Sequence, residues 1–131
     1  MIQDARDVRY RVFVLEQDVP VDIEQDARDG ECTHVVAYDN QGRAVGTGRL
    51  LPDAHIGRMA VLSAYRGQGI GSDLLKALIH DARCQNYPEV FLSAQLHAMA
   101  FYQAHGFASE GAHYFDAGIE HVRMRQRLSD L

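Results

Sequence analysis

Apolar residues Ala5, Val8, Val12 and Leu15 recur at helical spacing among Asp4, Arg6, Arg9 and Arg11, which predicts an amphipathic helix over 3–16. From Gln17 to Glu31 the periodicity gives way to a polar stretch with Pro20 and Gly30, read as a long loop with room for a short helical turn. Two β-rich runs, 32–39 and 43–51, are joined by Asn40-Gln41-Gly42 in the manner of a hairpin. A third strand is expected over 54–62, after Pro52-Asp53, and glycines then crowd 65–71. The helix over 72–83 carries Leu74, Leu75, Leu78, Ile79 and Ala82 on one wide stripe, and 89–95 has the apolar character of a buried strand. The segment from Leu96 reads as a helix stopped by Gly106. Runs 107–115 and 120–128 then close the chain as a hairpin about Asp116-Ala117-Gly118. No internal repeat, linker or low-complexity tract interrupts this order. It predicts one α+β domain over 1–131, with a strand, glycine loop, helix and strand at its centre.

Composition narrows the classes of function. A chain of 131 residues, 47% hydrophobic and 24% charged, has the profile of a folded soluble domain and argues against disorder. No run of eighteen apolar residues occurs and the first twenty residues alternate charged and apolar types, so neither a membrane span nor a signal peptide is expected and a cytoplasmic location follows. Cys32 and Cys84 lack any CxxC or CxxH partner, consistent with reduced thiols. With 18 acidic against 13 basic side chains, the electrostatic attraction behind nucleic-acid binding is missing, and Arg123, Arg125 and Arg127 read as a solvated strand face. The histidine pairs His97/His105 and His113/His121 are spaced eight apart, too sparse for a zinc set, and no metal is expected.

The glycine segment carries the chemistry. In Arg66-Gly67-Gln68-Gly69-Ile70-Gly71 the chain passes from a strand into a helix, and glycines there let successive N–H groups converge at the helix N-terminus, a geometry suited to phosphate. A P-loop is excluded because no Gly-Lys pair exists. A dinucleotide fingerprint starts at Gly67 and Gly69 but meets Ser72 where its third glycine or alanine belongs. A tight turn without ligand remains open on spacing alone.

The segment Arg66-x-x-Gly69-x-Gly71, following a strand, resembles the acyl-CoA-binding motif of the GNAT N-acetyltransferase superfamily. Downstream, Gln95-x-x-Ala98-x-x-x-Tyr102-x-x-x-Gly106-Phe107 resembles that superfamily's second signature. The stretches RVFVLEQDVP, THVVA, GRLL, AQLH and DAGIEH are similar to its ElaA-like branch, so the resemblance covers essentially the whole chain. It implies an α/β/α-layered α+β fold: a mixed, mostly antiparallel central sheet flanked by about four helices. Family members open with a strand before the first helix; here only Met1-Ile2 precede it, so that edge strand is expected to be missing.

The resemblance further implies an acetyl-CoA-dependent enzyme that moves an acetyl group to a primary amine by direct attack in a ternary complex; a homodimer is expected separately, because small domains with open sheet edges tend to pair. The alternative is a non-catalytic acyl-CoA-binding or sensing module of the same fold. The donor's pyrophosphate is expected on Arg66, Gly67, Gln68, Gly69, Ile70, Gly71 and Ser72, and its pantetheine arm along Met59, Ala60 and Val61, near Gln95, where many members carry asparagine. Tyr102 matches the tyrosine that protonates the departing thiolate, although on spacing alone Tyr102 and Phe101 would be core aromatics. Candidates for the base are Glu16, at the end of the first helix, and His55, at the start of the central strand; each also fits a plain solvated side chain. Between Glu16 and Glu31 seven acidic residues stand against Arg28 alone, which nominates Asp22 and Glu24 for holding a cationic small-molecule or peptide amine. The same composition suits a loop kept soluble by its own repulsion.

Overall fold

The computed structural model describes residues 2–19 and 27–128. The first helical stripe forms as α1 (Ile2–Arg9) and runs on directly as a π-helical segment, Tyr10–Glu16. The wider turn, closed by Gln17 N–H donating to Val12 O at 3.0 Å, shifts the phase of the stripe. Ala5, Val8 and Val12 are buried as the pattern requires, but Leu15 turns outward to 62% exposure.

Six strands make one sheet: β1 (Thr33–Tyr38), β2 (Ala44–Leu50), β3 (His55–Val61), β4 (Glu89–Gln95), β5 (Ala108–Asp116) and β6 (Ile119–Arg127), in the order β1-β2-β3-β4-β6-β5. Every neighbouring pair is antiparallel except β3 with β4, which the chain joins through a crossover containing α2 (Ile70–Cys84). A short 3-10 turn, Leu96–Ala98, leads into α3 (Met99–Ala104). The described helices are thus three α-helices, the first lengthened by its π segment, with further 3-10 turns at Ala27–Glu31 and Ser63–Tyr65. Among the described residues no strand precedes α1, and no helix is long and apolar enough to cross a membrane.

α1 and α2 cover opposite faces of the sheet, and β2 shows why. Gly46 and Gly48 face α2: a Cβ on Gly48 would stand 2.9 Å from Leu78 Cδ1, and one on Gly46 3.0 Å from Leu74 Cδ1, so any larger residue there would displace the leucines through which the helix packs on the sheet. The main core under α2 gathers Leu50, Ile56, Leu75, Leu78, Val90, Leu92, Val122 and Met124, while Val8, Val12 and Ala60 form a smaller cluster under α1. From the α1 face of β2, Arg49 meets Arg9 across a single carboxylate. Asp29 Oδ1 accepts from Arg9 Nη1 and Arg49 Nη1, both at 2.8 Å, and Oδ2 from Arg9 Nη2 at 3.1 Å and Arg6 Nε at 3.2 Å. Arg9 and Asp29 are each 1% exposed, so Arg9 belongs to the interior and not to the helix's polar face. Likewise Asp29 is withdrawn from the acidic loop surface that the sequence suggests.

Candidate active site

The parallel ladder between β3 and β4 has only two rows, His55↔Phe91 and Ile56↔Leu92, although the strands run on to Val61 and Gln95. A cleft of about 820 Å3 opens where that ladder stops, lined by Phe101 and Tyr102 from the α3 side and by Phe13, Glu16, Gln17, His55 and His121 from the α1 side. The π segment matters here, because its extra residue per turn directs Phe13, Glu16 and Gln17 to the cleft in place of Leu15. Opposite, β3 bulges. Arg58 has φ 49° and the β2–β3 register slips between Thr47 and Arg49. The bulge reverses the alternation of side chains: Ile56 and Met59 both pack toward α2, whereas Ala60 joins the α1 cluster.

The glycine segment forms the expected turn into α2. Gly67 (φ 78°) and Gly69 (φ 85°) are left-handed, and a Cβ at either would meet nothing within 4 Å, so conformation and not crowding selects glycine there. Gly69 is the N-cap of α2, and no side chain caps the helix. The first helical bond is Asp73 N–H to Gly69 O at 3.1 Å, so the N–H groups of Ile70, Gly71 and Ser72 point outward at the positive end of the helix dipole. Gly71 also lines the cleft, so loop and cleft are continuous. Ser72 Oγ lies 2.6 Å from His105 Nε2, and His105 Nδ1 donates to Phe101 O at 2.9 Å, tying the start of α2 to the end of α3.

Of the remaining predicted residues, Met59, Ala60, Val61, Arg66 and Gln95 line the cleft. Gln95 Nε2 donates to Gln17 Oε1 at 2.9 Å, bridging β4 to the π segment. Tyr102 presents its hydroxyl to Met59 Sδ at 3.8 Å, and burial pushes the phenol up to about 12, so it holds its proton at neutral pH. Glu16 accepts two bonds from Arg66, Nη1 to Oε2 at 2.6 Å and Nη2 to Oε1 at 2.8 Å, while Arg66 Nε donates to Val61 O at 2.9 Å. Those bonds from Arg66 hold the Glu16 carboxyl below its ordinary value, which weakens it as a proton acceptor. His55 stacks on Phe91 with ring centroids 5.3 Å apart, at the foot of the cleft, with Asp53 Oδ1 3.2 Å from its Nδ1. Asp22 and Glu24 lie outside the described residues. Charge in the cleft is mixed, since Glu16, Asp53 and Asp116 share it with Arg49, Arg58 and Arg66.

Sequence reasoning did not assign a catalytic part to His121. It is 8% exposed, lines the cleft and sits opposite Gln95 on β6. Only the pairing of β6 beside β4 brings it there; in the sequence its alternation with Val122 and its place in DAGIEH mark it as a structural or pocket-lining residue without a catalytic part.

The model of the acetyltransferase (GNAT) domain matches residues 1–128. YjcF of Bacillus subtilis, described as an uncharacterized N-acetyltransferase, is 37% identical over 127 residues, 94% of this chain and 90% of that one. Among solved structures, an acyl-CoA N-acyltransferase from Pseudomonas aeruginosa is 34% identical with a TM-score of 0.84, covering 95% of this chain and 89% of its own. Escherichia coli ElaA is 30% identical with a TM-score of 0.83, over 96% and 89% respectively. A six-stranded sheet split beside a glycine-turned helix, together with these likenesses along nearly the full length, leads to one assignment: the chain belongs to the GNAT family of acetyltransferases.

Proposed function

We propose that the protein transfers an acetyl group from acetyl-CoA to a primary amine by direct attack within a ternary complex. The observation that carries this reading is the cleft through the sheet, with an uncapped helix N-terminus at one end and a protonated tyrosine in its wall. The residues fit the donor. The outward N–H groups of Ile70, Gly71 and Ser72, with the turn at Gly67, Gln68 and Gly69, suit a pyrophosphate, and Arg66 adds a guanidinium. The β3 backbone at Met59, Ala60 and Val61, past the end of the β4 ladder, suits the pantetheine amides, with Gln95 facing them. A GNAT family acetyltransferase from Elizabethkingia anophelis with acetyl-CoA bound, 21% identical, has the same fold with a TM-score of 0.71.

Acetyl-CoA would supply a thioester whose acyl carbon accepts an amine. A backbone N–H at the Arg58 bulge polarises the carbonyl. Tyr102 gives its proton to the sulfur that leaves, a role that needs a phenol still protonated at working pH. Glu16 serves by holding Arg66 beside the donor loop, a different part from the base that its position in sequence suggested. His55 retains access to the acceptor from the foot of the cleft, and Asp22 and Glu24 remain candidates for drawing in a cationic amine. Thiol release from acetyl-CoA, followed over a panel of polyamines, aminoglycosides, lysine and basic peptide termini, tests the proposal. Saturable turnover with at least one amine is expected, and acetyl-CoA binding with no amine-dependent thiol release would turn the reading toward a sensing module.

A further inference from the structure

His121 is the buried imidazole of the cleft that neither the donor loop nor Tyr102 employs. Its Nδ1 lies 2.6 Å from Ile119 O, and a carbonyl only accepts, so Nδ1 carries the proton and Nε2 keeps its lone pair. Tyr114 holds the ring plane from the neighbouring strand, with centroids 6.1 Å apart and planes within 21°, and is itself hydrogen-bonded to Ser93.

Strand register sets the height of this ring in the cleft. Counting β3 against β4 from Ile56↔Leu92, with Arg58 and Met59 sharing one level at the bulge, sets that pair opposite Ala94 and Ala60 opposite Gln95, which pairs with His121. His121 therefore stands level with Ala60, one step past the β3 bulge and Met59, which Tyr102 touches. His55 lies four residues lower, roughly 13 Å at the rise of a β-strand. The faces differ too. Val122 and Met124 enter the α2-side core with Tyr102 packed against it, so His121 takes the opposite face. A thioester threaded through the split would thus have a proton donor on one side and an imidazole lone pair on the other.

We propose that His121 is the general base that deprotonates the acceptor, approached from the α1 face; this rests on the acetyl-transfer reading above. Nε2 takes one proton from the ammonium, and the nitrogen lone pair so freed forms the C–N bond. The C–S bond breaks with its electron pair on sulfur, which Tyr102 protonates. The surplus proton on the new amide nitrogen passes through water to the phenolate, and the imidazolium returns its own to solvent, so one proton is released overall. Tyr114 on β5 stacks on the ring and Arg123 lies two residues on along β6; the titratable and charged groups that share the cleft with it are Asp116 on β5, Arg49 on β2, Asp53, His55 and Arg58 on and before β3, His97 after β4, and Glu16 held by Arg66.

The test uses two probe amines of nearly equal size, ethylamine, protonated at neutral pH, and 2,2,2-trifluoroethylamine, largely neutral there. His121→Asn keeps a donor for Ile119 O but offers no basic nitrogen. Turnover of ethylamine is expected to fall by about 10²–10⁴-fold while trifluoroethylamine changes little, and the ethylamine deficit is expected to narrow as pH rises toward the amine's own value near 10. Acetyl-CoA affinity by calorimetry and the melting temperature are expected to stay at wild-type levels. Equal loss with both amines, or loss with neither, would overturn the proposal. Should the wild type acetylate neither probe, the 15N spectrum of the imidazoles decides: a proton on Nε2 of His121 at neutral pH contradicts the base role, and Nδ1–H with a bare Nε2 supports it. Failure to bind acetyl-CoA would instead overturn the donor reading and leave that spectrum to speak for the imidazole.

Discussion

Replacing Asp29 by asparagine removes one charge from the interior and leaves three guanidiniums around a neutral amide. The wild-type carboxylate takes four hydrogen bonds of 2.8–3.2 Å and joins the 3-10 turn to α1 and β2. Asparagine keeps one acceptor oxygen, but its NH2 would face the N–H groups of Arg9 and Arg6, donor against donor. Breaking a buried ion pair from one side costs about 3–5 kcal/mol. An unfolding entropy near 2.1 cal/mol/K per residue over 131 residues gives about 0.28 kcal/mol/K, so the melting temperature should fall by roughly 11–18 °C. Burial alone would push the Asp29 carboxyl up, yet Arg9, Arg49 and Arg6 together hold it well below the usual carboxylate range. A depressed folded-state value stabilises the fold fully above the ordinary carboxylate value near 4, and that contribution drains away as pH falls below it. Thermal unfolding of wild type and variant, followed by circular dichroism from neutral pH down to acid, should therefore give a constant gap that begins to close below about pH 4. A drop smaller than about 4 °C, equivalent to roughly 1 kcal/mol, would refute the reasoning, as would a gap unchanged in acid.

Three further outcomes follow from the cleft. Tyr102→Phe should lower turnover by about 10²–10⁴-fold while calorimetry gives acetyl-CoA affinity near wild type, because the hydroxyl acts on the leaving sulfur; equal loss of affinity would contradict the acid role. Gly69→Asp should abolish acetyl-CoA binding by setting a carboxylate at the helix N-terminus, with the melting temperature lowered by only several degrees, since the new Cβ meets open space and the left-handed φ costs a non-glycine residue about 1–2 kcal/mol. Glu16→Gln disrupts an exposed pair, worth at most about 1 kcal/mol, so turnover should fall less than about fivefold; a hundredfold loss would restore Glu16 as the base.

Local periodicity made most elements legible. The 89–95 strand has the limits that its apolar run suggested, and the glycines at 67 and 69 take the left-handed turn their spacing asked for. What escaped was set by distant partners. Leu15 continues the helical pattern, yet the π turn rotates it outward, a change of hydrogen bonding that side-chain type does not encode. Arg9 looks like a solvent-facing residue until Asp29, twenty positions on, folds over it. His121 gains its neighbours only once β6 inserts between β4 and β5, a topology that adjacency in sequence does not reveal. Glu16 lines the cleft, as a base candidate must, but its pairing with Arg66, fifty positions away, changes its chemistry.

The most direct test is a calorimetric titration of the purified protein with acetyl-CoA, desulfo-CoA and NAD. Saturable binding of acetyl-CoA and desulfo-CoA, lost in Gly69→Asp and absent for NAD, is the predicted result. Binding of acetyl-CoA that survives Gly69→Asp, or no binding at all, would contradict the assignment of the donor to this loop.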